Sequence, residues 1–283
     1  MSNFKLRTLT SVIGGAAMIG ILVFGRELLL AVLLILALVG YYELSAALGV
    51  CKSGQILTPM TTIGYLSILA WYVMLELFSL EIISDELMMG SGIMLTVLSL
   101  MLHMSVYVLT FPRYDAARTI GSIFSVIYVP VMLSFLYMIR ILDNGILYVW
   151  MVPIYSWGCD ICAYLVGVKF GRHKMSPKLS PKKSVEGAIG GVSGSLIIGV
   201  VYALIAVAPR VETETWKVVA IFAVMSVCGA LISMIGDLAA SAIKRDHDIK
   251  DYGRLIPGHG GVCDRFDSFV FVAPLVYLIC KLI

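Results

Sequence analysis

Along most of the chain, apolar residues run on without a polar face. Nine stretches of about 18 to 25 residues carry almost no charge, the length a helix needs to cross a hydrocarbon core about 30 Å thick. They lie at about 7 to 24, 27 to 48, 59 to 79, 87 to 111, 120 to 140, 146 to 169, 187 to 208, 217 to 241 and 266 to 282. The pattern predicts an all-α integral membrane protein, a polytopic helical bundle of about nine transmembrane helices. The first run follows Lys5 and Arg7, as a signal peptide would. No small-x-small cleavage site precedes the next charges and a second span starts almost at once, so it reads as a retained helix.

Composition agrees. Of 283 residues, 60% are hydrophobic and 14% charged, against roughly 25% charged in a soluble domain, and mean hydropathy is +0.96. No nucleic-acid partner is expected of such a chain. The net charge of +3 matters less than its placement. With the N-terminus inside, sixteen of the 21 Lys and Arg fall on cytoplasmic segments, eleven of them in two loops, Lys169 to Lys183 and Lys244 to Arg265. The positive-inside rule therefore predicts an N-in/C-out, multi-pass protein of the cell (plasma) membrane. So basic a cytoplasmic face suits a polyanion, either a phosphorylated substrate or an anionic lipid headgroup.

The halves differ. Residues 1–145, about five spans, carry few polar features. Glu43 reads as a helix-end residue at the interface, His103 as hydrogen-bonded within the bundle, and Pro130 as a kink. Residues 146–283, about four spans with the two basic loops, place ionisable groups inside the membrane. Asp160 and Asp237 each lie about nine residues from the cytoplasmic end of a span, or about 13 Å deep. A carboxylate there costs about 2.5 to 3.5 kcal/mol, so both need a metal, a cation or a wet cavity as partner. Cys159 and Cys162 have C-x-x-C spacing, but no second pair or histidine completes a zinc site, so they read as small apolar fillers. Gly187 with Gly191, and Gly190 with Gly194, form a close-packing face.

In "GDLAASAIKR", Asp237, Ser241, Lys244 and Arg245 are spaced i, i+4, i+7 and i+8 and share one helix face. A carboxylate at depth with cations above it suits a metal-bound phosphate. Asp264 and Asp267 then open the last span at i and i+3, and with Asp237 offer up to three carboxylates for one or two Mg²⁺ ions. Ahead of them, Gly258-His259-Gly260-Gly261 can turn backbone N–H groups onto an anion, although it lacks the Lys-Ser/Thr ending of a Walker loop. In the other basic loop, Ser184 is placed to cap the seventh span, with Glu186 in its first turn and Lys182 and Lys183 beside it.

These residues resemble a known family. "SAIKRDHDIKDYGRLIPGHGGVCDRFD", Ser241 to Asp267, is similar to the C-terminal signature of the phosphatidate cytidylyltransferases, or CDP-diacylglycerol synthases. "DICAYLVGVKFGRHK" and "SPKKSVEG" resemble two further stretches of that family. The resemblance implies transfer of CMP from CTP to phosphatidate, giving CDP-diacylglycerol and pyrophosphate for phospholipid biosynthesis, at the cytoplasmic side of the membrane. It implies Mg²⁺, with room for a second cation, at Asp237 and Asp264, with Asp267 and Asp160 near the same site. Ser241, Lys244 and Arg245 would contact phosphates, while Lys183, Ser184, Glu186 and His259, together with Gly260, Gly261 and Arg265, would bind substrate. Ala240, where the family often has glutamate, and Ile161 and Cys162, where small or hydroxyl residues are usual, depart from it.

Related chemistries share such a site, namely a CTP-dependent lipid kinase and an isoprenoid-ether lipid cytidylyltransferase. A transporter would also bury aspartates, but predicts broken helices in both halves, whereas the polar features here are confined to the second. A homodimer is compatible with the sequence.

Overall fold

The computed structural model describes residues 3–253, 255 and 260–281. The described residues form nine helices of twelve residues or more: α1 (Asn3–Phe24), α2 (Arg26–Ala47), α3 (Pro59–Ser79), α4 (Asp85–Leu109), α5 (Ala116–Arg140), α6 (Gly145–Phe170), α7 (Val185–Arg210), α8 (Thr215–Asp246) and α9 (Phe269–Cys280). Seven of them, α2 to α8, are long and apolar enough to cross a membrane. The apolar part of α1, Ile13–Phe24, and α9 are shorter. A two-stranded antiparallel hairpin, β1 (Lys174–Ser176) and β2 (Ser180–Ser184), stands between α6 and α7. The all-α expectation needs that one correction. "KMSPKLSPKKS" has no apolar alternation to mark a strand, and its pairing joins Lys174 to Ser184 and Ser176 to Ser180.

Local chemistry sets the helix starts. Thr58, Ser84, Asp115 and Ser184 each accept the backbone N–H three residues on, opening α3, α4, α5 and α7. Each side chain satisfies a donor that the helix cannot pair for itself. Pro130 lies in a π-helical turn, Ile127–Val131, within α5. The ring has no N–H to give, and the wider turn absorbs the missing bond.

By packing, the chain forms two compact units, residues 1–138 with 247–265, and residues 139–246 with 266–283. This division does not follow the sequence halves at 145, because the loop after α8 packs with helices of the first half. In the first unit, His103 lies fully buried at the centre of a hydrogen-bonded chain. Its Nδ1 donates to the Ser99 carbonyl at 2.7 Å. Nε2 of the neutral ring must then accept, from the Ser122 hydroxyl at 3.1 Å, which in turn accepts from Tyr41 at 2.8 Å. His103 is thus a satisfied bundle histidine, as the sequence suggested.

In the second unit, the four glycines expected to form a packing face all meet α6. Side chains at Gly187 and Gly191 would run into the Ala163 carbonyl and Cys159 at 2.9 Å, while Gly190 and Gly194 face Val166 and Cys162. The C-x-x-C pair therefore fills that contact with free thiols. Cys159 continues into a core with Ala230 and Met234 of α8, joined by Ala188 and Val192 of α7.

Candidate active site

In the second unit, the hairpin and α8 bring two of the expected site residues together. Lys183, on β2, forms an ion pair with Asp237, nine residues before the end of α8, and each side chain is 25% exposed. The carboxylate thus has a cationic partner within its own unit. Gly236, its neighbour, packs on the start of α9 and the residues just before it. A Cβ there would lie 2.7 Å from the Asp267 carbonyl. Asp267 holds the Ser268 N–H at 2.8 Å. Asp237 and Asp267 therefore stand on adjoining elements of one unit. α8 runs unbroken to Asp246, so Ser241 and Lys244, both half-buried, and exposed Arg245 keep their spacing from Asp237.

Beside the ion pair lies a cavity of about 450 Å³. Asp160, Tyr164 and Val168, spaced four residues apart, line it from one face of α6, and Lys182, Lys183 and Ser184 line it from the hairpin. Ser184 does what helix-capping chemistry predicts. Its buried hydroxyl accepts the Gly187 N–H at 3.1 Å, with Gly167 close enough that a side chain there would touch it. Glu186 is engaged by the chain itself, accepting the Arg172 N–H at 3.0 Å, the His173 N–H at 3.2 Å and the His173 ring N–H at 2.6 Å. It ties the end of α6 to the start of α7 and so closes the base of the hairpin. His173 was not singled out from sequence, although its place one hairpin away from an acidic first turn is a usable sign.

In the first unit, Asp264 is buried, at 8% exposure, on a helical turn, Cys263–Phe266. Its Oδ2 accepts the Tyr252 N–H at 2.8 Å and the Gly261 N–H at 3.0 Å. The glycine-rich turn was expected to aim its N–H groups at an anion, and at Gly261 the anion is the protein's own Asp264. Gly260 has a φ of +86°, in the left-handed region that favours glycine. Arg265 is exposed, and His259 lies outside the described residues.

Sequence reading missed one residue here. Glu43 was expected at the membrane interface, yet it is 4% exposed and accepts the Cys263 N–H at 2.9 Å. The available sign was a lone acid inside an apolar run, in "GYYELSAALG".

The model of the cytidylyltransferase family matches residues 5–283. The phosphatidate cytidylyltransferase of Staphylococcus epidermidis is 31% identical over 280 residues, covering 97% of this chain and 98% of the relative. That of Staphylococcus aureus is 31% identical over 281 residues with the same coverage. The Bacillus subtilis protein of that name is 35% identical over 157 residues, 55% of this chain and 56% of the relative. A match running through the first-half helices as well as the acidic and basic residues of α8 and the hairpin leaves one assignment: the chain belongs to the cytidylyltransferase family.

Proposed function

We propose that this protein transfers the cytidylyl group of CTP to phosphatidate, forming CDP-diacylglycerol and releasing pyrophosphate. The observation that carries the reading is the Lys183–Asp237 ion pair beside Asp267, at the edge of a cavity lined by both charged and apolar side chains. Such a cavity suits an amphiphile whose head is anionic, and relatives named phosphatidate cytidylyltransferase cover nearly the whole chain.

In the reaction, a phosphate oxygen of phosphatidate attacks the α-phosphorus of CTP, and the bond to the β-phosphate breaks as pyrophosphate leaves. No covalent enzyme intermediate is required. The protein has two anions to bring together and their charge to offset. Lys183, Lys244 and Arg245 neutralise and orient phosphate oxygens. Ser184 keeps the α7 N-terminus ordered beneath the hairpin, Glu186 holds the hairpin closed, and Asp160 adds a carboxylate to the cavity lining.

The residues present fit Mg²⁺. Asp237 already accepts a cation in the form of the Lys183 ammonium, and Asp237 and Asp267 offer the hard oxygens that this ion prefers. When bound, the ion would supply positive charge to the transferring phosphate. For Asp264, a part in holding the ion is implied by the family resemblance alone.

The basic segments at the hairpin and after α8 support a site on the cytoplasmic side of the plasma membrane. Seven long apolar helices with two shorter ones are consistent with nine crossings, N-terminus in and C-terminus out. Purified protein supplied with CTP, Mg²⁺ and either phosphatidate or an unsaturated isoprenoid-ether phospholipid acceptor tests the substrate. CDP-diacylglycerol is expected, and turnover confined to the ether lipid would overturn the assignment.

A further inference from the structure

Glu43 has no part in the chemistry above, yet it is built into the signature loop. Its Oε2 accepts the Cys263 N–H across 220 residues of sequence. Three residues earlier on α2, the Gly40 carbonyl accepts the Cys263 thiol at 3.2 Å. The carboxylate also fills the space that side chains at Gly253 and Gly261 would need, since a Cβ on either would fall onto it. Neither glycine has a positive φ. Contact with Glu43, rather than backbone conformation, requires glycine at both positions.

A carboxylate withdrawn from water is costly unless its oxygens are paired, and an apolar residue of similar volume would fill the same gap at lower cost. The acid is therefore tied to what its oxygens hold. They hold Cys263, the residue before Asp264, from the α2 side. From the other side, Asp264 holds Tyr252 and Gly261. The two passes of the loop, 251–253 and 260–264, are thus pinned by two carboxylates, one of them contributed by a helix of the first half.

We propose that Glu43 is a positioning residue, wedged between Gly253 and Gly261–Cys263, that holds residues 251–253 and 260–264 together and with them the place of the Asp264 carboxylate. The proposal rests on the reading that Asp264 serves the reaction. It gives α2 a task in the enzyme beyond crossing the membrane.

The test uses the full-length protein in lipid nanodiscs, with amide hydrogen exchange and steady-state kinetics on Glu43→Ala, Gly261→Ala and the double variant. Each single change should speed exchange in residues 251–264 at least tenfold while leaving α3 and α4 unchanged. It should also lower kcat at least tenfold with KM for CTP changed less than threefold. Glu43→Gln, whose amide oxygen still accepts from Cys263, should recover part of the turnover. In the double variant the added methyl enters space the carboxylate has left, so Gly261→Ala should have less than a threefold further effect. Unchanged exchange in 251–264, a rise spread evenly through α2 to α5, or independent effects in the double variant would overturn the proposal. If Glu43→Ala does not fold, Gly261→Ala reads the same contact from the loop side, and unchanged exchange there is equally decisive. Should the wild type form no CDP-lipid, the functional reading fails, while the exchange and coupling results still decide the role of Glu43.

Discussion

Lys183 reaches from the second hairpin strand to Asp237, nine residues before the end of α8, and the two side chains form an ion pair. The pair joins the basic hairpin to the helix that leads into the C-terminal signature. It makes the hairpin part of the site rather than a connector, and several outcomes depend on it.

Asp237→Asn removes the charge that Lys183 and the proposed Mg²⁺ both require. Turnover should fall below a tenth of wild type, a loss of more than about 1.4 kcal/mol of transition-state stabilisation. The thermal midpoint in detergent should stay within a few degrees. Asp264→Asn should likewise abolish turnover. Chelation of divalent ions should stop the wild-type reaction, and added Mg²⁺ should restore it. Activity of either variant above a tenth of wild type would argue against metal ligation.

Removing the α7 cap separates structure from chemistry. Ser184→Ala leaves the Gly187 N–H without its partner and should cost about 1 kcal/mol of stability, the usual value of such a cap. Glu186→Ala frees the Arg172 and His173 amides. Their hydrogen exchange should rise, and tryptic cleavage at Lys178 and Lys182 should speed up. Unchanged exchange at those amides would show that the hairpin is held by other means.

Gly191→Leu drives a side chain into Cys159 on α6. Overpacking of this kind costs about 1 to 3 kcal/mol, and the variant should show a lowered thermal midpoint. Cys159→Ala, a reduction in volume at the same contact, should partly rescue Gly191→Leu. Additive losses would mean that the two positions do not share the contact.

His103→Leu should lower stability by about 1 to 3 kcal/mol, because it leaves the buried Ser122 hydroxyl proton without its acceptor. Its kcat and KM should match those of wild type once folded protein is quantified. A lowered kcat would assign His103 a role that its hydrogen bonds do not suggest.

The long helices were legible because hydropathy over about twenty residues is a local property. The spans drawn at 59 to 79 and 146 to 169 fall within a residue of α3 and α6 at both ends. The glycine face and its cysteine partners were legible in part, since a four-residue repeat marks a contact without saying what it meets. The hairpin was not, because its strands are short and polar and are held by Glu186 and the Lys174–Ser184 pairing. Glu43 escaped for a different reason. Its partners lie more than 200 residues away, and nothing near it in the chain marks the Cys263 N–H as its destination. Ser241, Lys244 and Arg245 were placed correctly on one helix because α8 continues to Asp246 without a break.

The measurement that bears most directly on the proposed activity follows the fate of two phosphorus atoms. Purified protein in detergent is given phosphatidate, Mg²⁺ and CTP labelled either at the α- or at the γ-phosphate, and the lipid fraction is extracted. Cytidylyl transfer predicts α-label in the lipid as CDP-diacylglycerol and γ-label in the water-soluble pyrophosphate. Label from the γ-phosphate in the lipid, with CDP as the soluble product, would contradict the account and identify a lipid kinase.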